Sequence, residues 1–209
     1  MTPDSRYVML GIMGAGKGTQ AKKLAAYKDI PHISTGDIFR EAIEKGTEIG
    51  LKARDIIHSG GLVPDDVVVE IVKERIAGPD TDGGFILDGF PRTLNQAESF
   101  GRSEDIDSVF YITIDEEEVL KRLMGRRLCD SCKTGYNVYL EDVPAQCSKC
   151  GSSIVKREDD NEETIRERIQ NYLDNTKPLV EYYRNKNLLI EIDGMNDIQS
   201  VFECIKSFV

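Results

Sequence analysis

Short apolar runs alternate with amphipathic stretches along the whole chain. Tyr7-Val8-Met9-Leu10, Phe85-Ile86-Leu87, Val109-Phe110-Tyr111-Ile112-Thr113-Ile114 and Leu188-Leu189-Ile190 have the length and content of buried strands, and Asp29-Ile30-Pro31-His32-Ile33 adds a shorter one. Helical patterns separate them. One runs from Gln20 to Tyr27, a second through Ile38-Phe39-Arg40-Glu41-Ala42-Ile43, and a third from Glu48 to Ser59, where Gly60-Gly61 stops it. Pro64-Asp65-Asp66 makes a good first turn for a helix whose apolar face is Val67, Val68, Ile71, Val72 and Ile76. Thr93-Leu94-Asn95-Gln96 fits a capping box, and further helices are expected from Glu116 to Arg127, after Asp160-Asn161, after Thr176-Lys177-Pro178, and from Ile198 to Phe208. Five strands separated by helices predict an α/β fold with a five-stranded parallel sheet flanked by helices, and residues 35–64 read as a small helical insert. In such a sheet ligand chemistry collects at the carboxyl ends of the strands.

The first strand leads into Gly11-Ile12-Met13-Gly14-Ala15-Gly16-Lys17-Gly18-Thr19, which then enters a helix. This is the strand–loop–helix context of a phosphate-binding P-loop. Glycines let backbone N–H groups turn toward an anion, and the helix start behind them adds partial positive charge. Lys17 is placed to reach outer phosphates, and the Thr19 hydroxyl to ligand Mg²⁺, although Gly18 separates the two where the common motif has them adjacent.

Charge narrows the ligand. The chain has 209 residues and a formal net charge of −10, which argues against general affinity for nucleic acid or anionic membrane, while leaving anionic substrates open if cations cluster locally. Met1-Thr2-Pro3-Asp4-Ser5-Arg6 holds no apolar signal core and no apolar run approaches a membrane span, so a soluble, cytoplasmic protein is expected. Of five cysteines, four form the pairs Cys129-x₂-Cys132 and Cys147-x₂-Cys150, with 14 residues between them, one short of the usual zinc-ribbon spacing. Two such knuckles suit one tetrahedral zinc, and four thiolates leave no open position, so the metal would be structural. Two disulfides or a redox pair would use the same thiols. Cys204, among Val201, Phe202, Ile205 and Phe208, reads as buried packing.

Arginines crowd the ends of the remaining motifs: Arg40, Arg92, Arg122, Arg126, Arg127, Arg157, Arg166 and Arg168. Guanidinium forks bind phosphate oxygens in pairs, so these positions suggest a phosphate clamp. Asp88, after an apolar strand, fits a role near Mg²⁺ through water. His32 and His58 offer no base or ligand constellation and read as structural.

Taken together, Gly11 to Thr19, Ser34-Thr35-Gly36-Asp37, Asp88-Gly89-Phe90-Pro91-Arg92, Gly125-Arg126-Arg127, Arg157-Glu158-Asp159-Asp160 and Asp193-Gly194 resemble the adenylate kinase family, of the type with a long zinc-bearing lid, over almost the whole chain. The resemblance implies reversible, direct in-line phosphoryl transfer from MgATP to AMP giving two ADP, with structural Zn²⁺ in the lid. It implies a P-loop core (1–34, 65–124 and 161–209), an AMP-binding insert (35–64) and a lid (125–160). ATP contacts would be Gly14, Ala15, Gly16, Lys17, Gly18, Thr19, Arg126, Gly135, Tyr136 and the backbone at Asn196. AMP contacts would be Thr35, Arg40, Gly61, Leu62, Val63, Gly89, Phe90, Pro91, Arg92 and Gln96, together with Arg157 and Arg168. Lys17, Arg92, Arg122, Arg126, Arg157 and Arg168 would surround the transferring group. The partners expected are ATP, AMP and ADP, with no nucleic acid or membrane, and the protein is expected to be a monomer.

Ile12-Met13 departs from the small or proline residues common in this loop, and Glu141-Asp142-Val143-Pro144 stands where such lids often carry consecutive prolines. Two other readings use the same motifs: a kinase for a different nucleoside monophosphate, and a zinc-ribbon binding protein with an ATP-driven switch. Thr35 and Gln96 favour AMP over the first, and the mixed charges between the cysteine pairs weigh against the second.

Overall fold

The computed structural model describes residues 5–102, 104–157 and 159–209. Met1 to Asp4 and Glu158, which belong to the N-terminal and lid readings above, lie outside the described residues.

Strand β1 (Ser5–Leu10) is followed by helix α1 (Lys17–Lys28), β2 (His32–Ser34), α2 (Thr35–Glu44), α3 (Glu48–His58) and α4 (Asp65–Ile76). Then come β3 (Gly84–Asp88), α5 (Leu94–Phe100), β4 (Ser108–Thr113) and α6 (Glu116–Gly125). Three short strands, β5 (Arg126–Cys129), β6 (Gly135–Asn137) and β7 (Ile154–Val155), precede α7 (Glu162–Asn171), α8 (Pro178–Asn185), β8 (Leu189–Asp193) and α9 (Ile198–Lys206). The main sheet has the order β2-β3-β1-β4-β8, and every pairing in it is parallel. All five strands therefore deliver their carboxyl ends, and the loops after them, to one edge.

Both faces of the sheet are covered, which is why its strands read as continuous apolar runs rather than alternating ones. Tyr7, Met9, Ile86, Phe110 and Ile112 pack with Ala21 and Leu24 of α1, Leu123 of α6, and Val201, Phe202 and Ile205 of α9. Val8, Leu10, Leu87 and Val109 face the other way, against Val68 and Val72 of α4, Phe100 of α5, and Leu179 and Tyr183 of α8. Neighbouring residues of β1 thus serve opposite cores, as a period of two requires.

Local chemistry sets the helix starts. Ser34, Thr47, Thr93 and Asn161 each accept a hydrogen bond from a first-turn N–H of α2, α3, α5 and α7, satisfying donors the helices leave open. Helices α2 and α3 fill the stretch read as a helical insert. The five expected strands are present, with β8 running three residues past Ile190.

Two elements end earlier than their patterns suggest. Helix α6 stops at Gly125, because Arg126 turns extended (φ −65°, ψ 135°) and begins a ladder with Asn137. Arg126 and Arg127 therefore lie on a strand. Helix α9 stops at Lys206, leaving Phe208 half-exposed, and Cys204 is exposed rather than buried. The apolar face of α9 is Val201, Phe202 and Ile205, and Cys204 falls outside it. Among the described residues, no helix is long and apolar enough to cross a membrane.

Gly50 is where α2 and α3 touch: a Cβ added there would lie 2.2 Å from the carbonyl oxygen of Ala42. Gly50→Ala should therefore destabilise the protein by about 1–3 kcal/mol, as overpacking does. Urea denaturation measures it, and an unchanged midpoint would show that the two helices separate freely.

Candidate active site

The loop after β1 is shaped by close approach. At Gly11 an added Cβ would sit 2.4 Å from the carbonyl oxygen of Ile112 in β4. Gly16 takes the left-handed conformation (φ 95°) as the residue before α1, and no side chain caps that helix start. Gly14, Ala15, Gly18 and Thr19 complete the loop and the first turn, with Thr19 exposed. The helix start thus offers uncapped N–H groups and partial positive charge. Lys17 curls back, its Nζ donating to the carbonyl oxygens of Gly11 (2.7 Å) and Ile12 (2.9 Å). Burial lowers its pKa to about 8; Asp88 opposes that shift, while the positive charges of Arg92 and Arg126 add to it.

Asp88 closes β3 directly beneath this loop. A Cβ at Gly18 would lie 3.1 Å from its Oδ2, and His32 Nε2 is 3.3 Å from the same oxygen. Burial pushes the Asp88 carboxyl up, but the hydrogen bond from His32 and the charge of Lys17 outweigh it, and the group stays below its usual pKa. His32, expected to be structural, is thus part of the site's electrostatics. Only the β2–β3 register, which sets Ser34 beside Asp88, brings it there, and local sequence carries no such signal.

The arginines converge from five segments. Arg92 follows β3: its Nε donates to the Gly89 carbonyl oxygen (2.8 Å), and its backbone N–H to Gln96 Oε1 (2.7 Å). Gln96 Nε2 in turn donates to Asp65 Oδ1 (2.7 Å), so a fully buried amide fixes the turn. Thr35 Oγ1 donates to the same Gly89 carbonyl (2.9 Å). Arg40 on α2 pairs with Asp37 (2.6 Å). Arg126 forks onto Asp160, Nε to Oδ2 at 2.7 Å and Nη2 to Oδ1 at 2.5 Å, and Arg168 pairs with Asp159 and, at 3.5 Å, with Asp160. Arg122 Nη1 donates to the Gly194 carbonyl oxygen (3.0 Å).

These guanidinium groups repel one another. Burial first, and then the charges of Arg126 and Arg40, together bring the pKa of Arg157 down to about 9; its Nε is buried without a hydrogen-bond partner among the described residues. Arg92 is shifted down by burial and by Arg168 and Arg40, against the pull of Asp88. A nest of cations that destabilise each other's charge, beside an uncapped helix start, is a receptacle for several negative charges.

Not every expected residue joins it. Arg166 is exposed and pairs with Glu162, and Arg127 donates to the carbonyl oxygens of Met124 and Arg126. Phe90 points into the core against Phe100, with ring centroids 5.2 Å apart, and cis Pro91 follows it. Gly61, Leu62 and Val63 form the connection from α3 to α4, with Val63 buried, and Asn196 is exposed with its Nδ2 on Asp193. Asp65, Asp159 and Asp160 carry much of the support, yet nothing in their spacing marks them as partners of Gln96, Arg168 and Arg126.

A second cluster lies in the small sheet β6-β5-β7. The sulfur atoms of Cys129, Cys132, Cys147 and Cys150 all lie within 4.8 Å of one another, with Cys129 to Cys150 at 3.3 Å and Cys132 to Cys147 at 3.6 Å. These separations are far beyond an S–S bond and close to the ~3.8 Å edge of a tetrahedral zinc tetrathiolate. Hydrogen bonding led by Tyr136 draws the Cys147 thiol down to about 5, as suits a sulfur that binds metal as thiolate. The donor set fits one zinc ion. Gly135 and Tyr136 lie on β6, and the Tyr136 hydroxyl turns toward Cys147, so only backbone here remains for a nucleotide.

Comparison with known proteins decides between the readings that share these motifs. The family model described as adenylate kinase matches residues 9–188. The chain belongs to the adenylate kinase family. It is 47% identical to an adenylate kinase of Archaeoglobus fulgidus, with 97% of this chain and 96% of that one covered. It is 46% identical to one of Clostridium acetobutylicum (97% of each chain covered) and 44% identical to one of Oceanobacillus iheyensis (97% of each). Membership in the adenylate kinase family makes the chain a nucleotide phosphotransferase.

The lowered pKa of Lys17 gives a test of anion binding. An anion favours the charged amine and raises its pKa, so at pH 8.5, above the free value of about 8, binding should draw in a fraction of a proton. Calorimetry of inorganic triphosphate binding in buffers of different ionisation enthalpy measures it. Proton uptake is expected in the native protein and not in Lys17→Met, and equal heats across buffers would remove Lys17 from the anion site.

Proposed function

We propose that this protein transfers the γ-phosphoryl group of MgATP directly, in line, to AMP, giving two ADP without a covalent intermediate. The observation that carries this reading is the convergence of Arg40, Arg92, Arg126, Arg157 and Arg168, with Lys17, on the carboxyl-end edge of the sheet. ATP would lie along Gly14 to Thr19, with Lys17 at its outer phosphates and Arg126 and the backbones of Gly135, Tyr136 and Asn196 around it. AMP would lie against Thr35, Arg40, Gly61, Leu62, Val63, Gly89 to Arg92 and Gln96, its phosphate shared by Arg157 and Arg168. Residues 35–64 would act as the AMP-binding insert and 125–160 as the lid over a core of 1–34, 65–124 and 161–209.

An AMP phosphate oxygen is already ionised near neutral pH, so the attack needs alignment and charge neutralisation more than a strong base. Asp88 would hold Mg²⁺ through water, and the ion would supply part of that neutralisation. Lys17, Arg92, Arg122, Arg126, Arg157 and Arg168 would hold the equatorial oxygens as charge passes from donor to acceptor. Closure of both inserts over the nucleotides would exclude water, the competing nucleophile. The four cysteines would hold structural zinc and so give a segment with little core of its own a fixed shape. We read the chain as a cytoplasmic monomer acting on free nucleotides, which its acidic balance suits.

Product analysis with MgATP and each of AMP, GMP, UMP and CMP tests the assignment. ADP formation should depend on AMP, with about two ADP per ATP consumed, and Arg92→Ala should lower turnover about 10²–10³-fold while the fold survives, as loss of one preorganised donor does. ATP loss indifferent to any monophosphate would refute the transfer reading, and preference for another monophosphate would refute the acceptor. For the metal, treatment with a strong chelator should lower the melting temperature of the whole protein. An unchanged melting curve after zinc removal would exclude a structural role.

A further inference from the structure

We propose that Tyr136 is a positioning residue of the four-cysteine metal site, holding the Cys147 thiolate in place through a hydrogen bond from its buried phenol. The inference rests on reading the cysteine cluster as a zinc site. Tyr136 is 8% exposed, and its hydroxyl lies 3.3 Å from Cys147 Sγ, 3.0 Å from the backbone nitrogen of Ser148 and 3.0 Å from Ser148 Oγ. The roles of these contacts follow from what each atom can do. A backbone N–H only donates, so the phenol oxygen accepts from Ser148. A metal-bound thiolate has no hydrogen and only accepts, so the phenol's single hydrogen goes to Cys147. The hydroxyl of Ser148, an exposed residue, then donates to the second phenol lone pair, and the buried phenol is fully satisfied.

Among the described residues, no other cysteine of the cluster takes a hydrogen bond from a non-cysteine side chain outside its own knuckle, and Cys150 is served by Ser152. Cys129 Sγ accepts from the N–H of Cys132 (3.4 Å), and Cys132 Sγ lies 3.1 Å from Thr134 Oγ1, so both are served from within their own knuckle. Tyr136 reaches Cys147 from eleven residues away, out of a strand whose ladder pairs it with Arg127 of β5. It thereby ties the hairpin that carries the first cysteine pair to the knuckle that carries the second. Tyr136, Cys129 and Cys147 are the buried residues of this small core, so the bond operates away from competing water. Partners that orient metal ligands in this manner are worth about 10–100-fold in metal affinity.

Tyr136→Phe keeps the ring and deletes only the donor. Metal content, and competition with a chromogenic zinc chelator, should be measured on the full-length native protein and this variant. One zinc per chain is expected in the native protein, with affinity about 10–100-fold weaker and faster release in Tyr136→Phe. In the Co²⁺-substituted proteins the sulfur-to-cobalt charge-transfer band should move to lower energy in the variant, because a thiolate relieved of its hydrogen bond gives up electron density more easily; a role in packing alone would not shift it. Native-like zinc affinity and an unshifted cobalt band in Tyr136→Phe overturn the proposal and leave the zinc site standing. A native protein that binds no zinc overturns both.

Discussion

Mutual repulsion among partly buried cations is the constraint on which the site depends. Lys17, Arg92 and Arg157 have their pKa values lowered by burial first and then by the charges of neighbours among Arg40, Arg92, Arg126 and Arg168, and no fold would gather such groups without compensation. Part of it is built in. Asp37, Asp159 and Asp160 hold Arg40, Arg168 and Arg126, and carbonyl oxygens of Gly11, Ile12 and Gly89 take hydrogens from Lys17 and Arg92. Two of these carboxylates are themselves kept charged by their partners: Asp37 and Asp159 would be pushed up by burial, yet both lie below their usual pKa because of the guanidinium groups beside them. What remains uncompensated, with the Arg157 Nε buried and without a partner among the described residues, is positive potential. The chain as a whole carries a formal charge of −10, so this potential is local and selects for a compact, highly charged anion.

The main sheet and its flanking helices were legible because they follow periodicity. Buried parallel strands such as Val109 to Thr113 read as unbroken apolar runs, and helix starts at Ser34, Thr93 and Asn161 announced themselves through capping chemistry. The cysteine knuckles and the glycine-rich loop were legible because their chemistry demands fixed spacing. What escaped was set by tertiary contact. Helix periodicity continued through Arg126 and Arg127, but pairing with β6 overrode it. Cys204 followed apolar neighbours in sequence yet lies off the buried face of α9. His32 lies against Asp88 only because two strands register, and Asp65 reaches Gln96 across 31 residues.

The molecule divides its labour between rigidity and position. The sheet supplies a common edge, and turns such as Gly89 to Arg92 are locked by hydrogen bonds donated by Thr35 and Thr176 and by one that Gln96 accepts from the Arg92 N–H. The cysteine segment has a core of only a few residues, so its shape relies on thiolate geometry and on Tyr136. It nonetheless delivers Arg126 to the site and contacts the rest of the chain: Lys133 pairs with Glu44 of α2 at 3.4 Å, and Lys22 of α1 donates to the Lys133 carbonyl oxygen. Both contacts are exposed and weak, as the lid role proposed for this segment would require.

The central claim is that one cationic receptacle serves the phosphates of two nucleotides at once. Calorimetric titration with a molecule that joins two adenosines through a five-phosphate chain tests it most directly. The account predicts one molecule bound per chain, far more tightly than ATP or AMP alone, because one phosphate chain then meets Lys17 and the arginines together. Affinity no greater than that of ATP, or two molecules bound per chain, would contradict it.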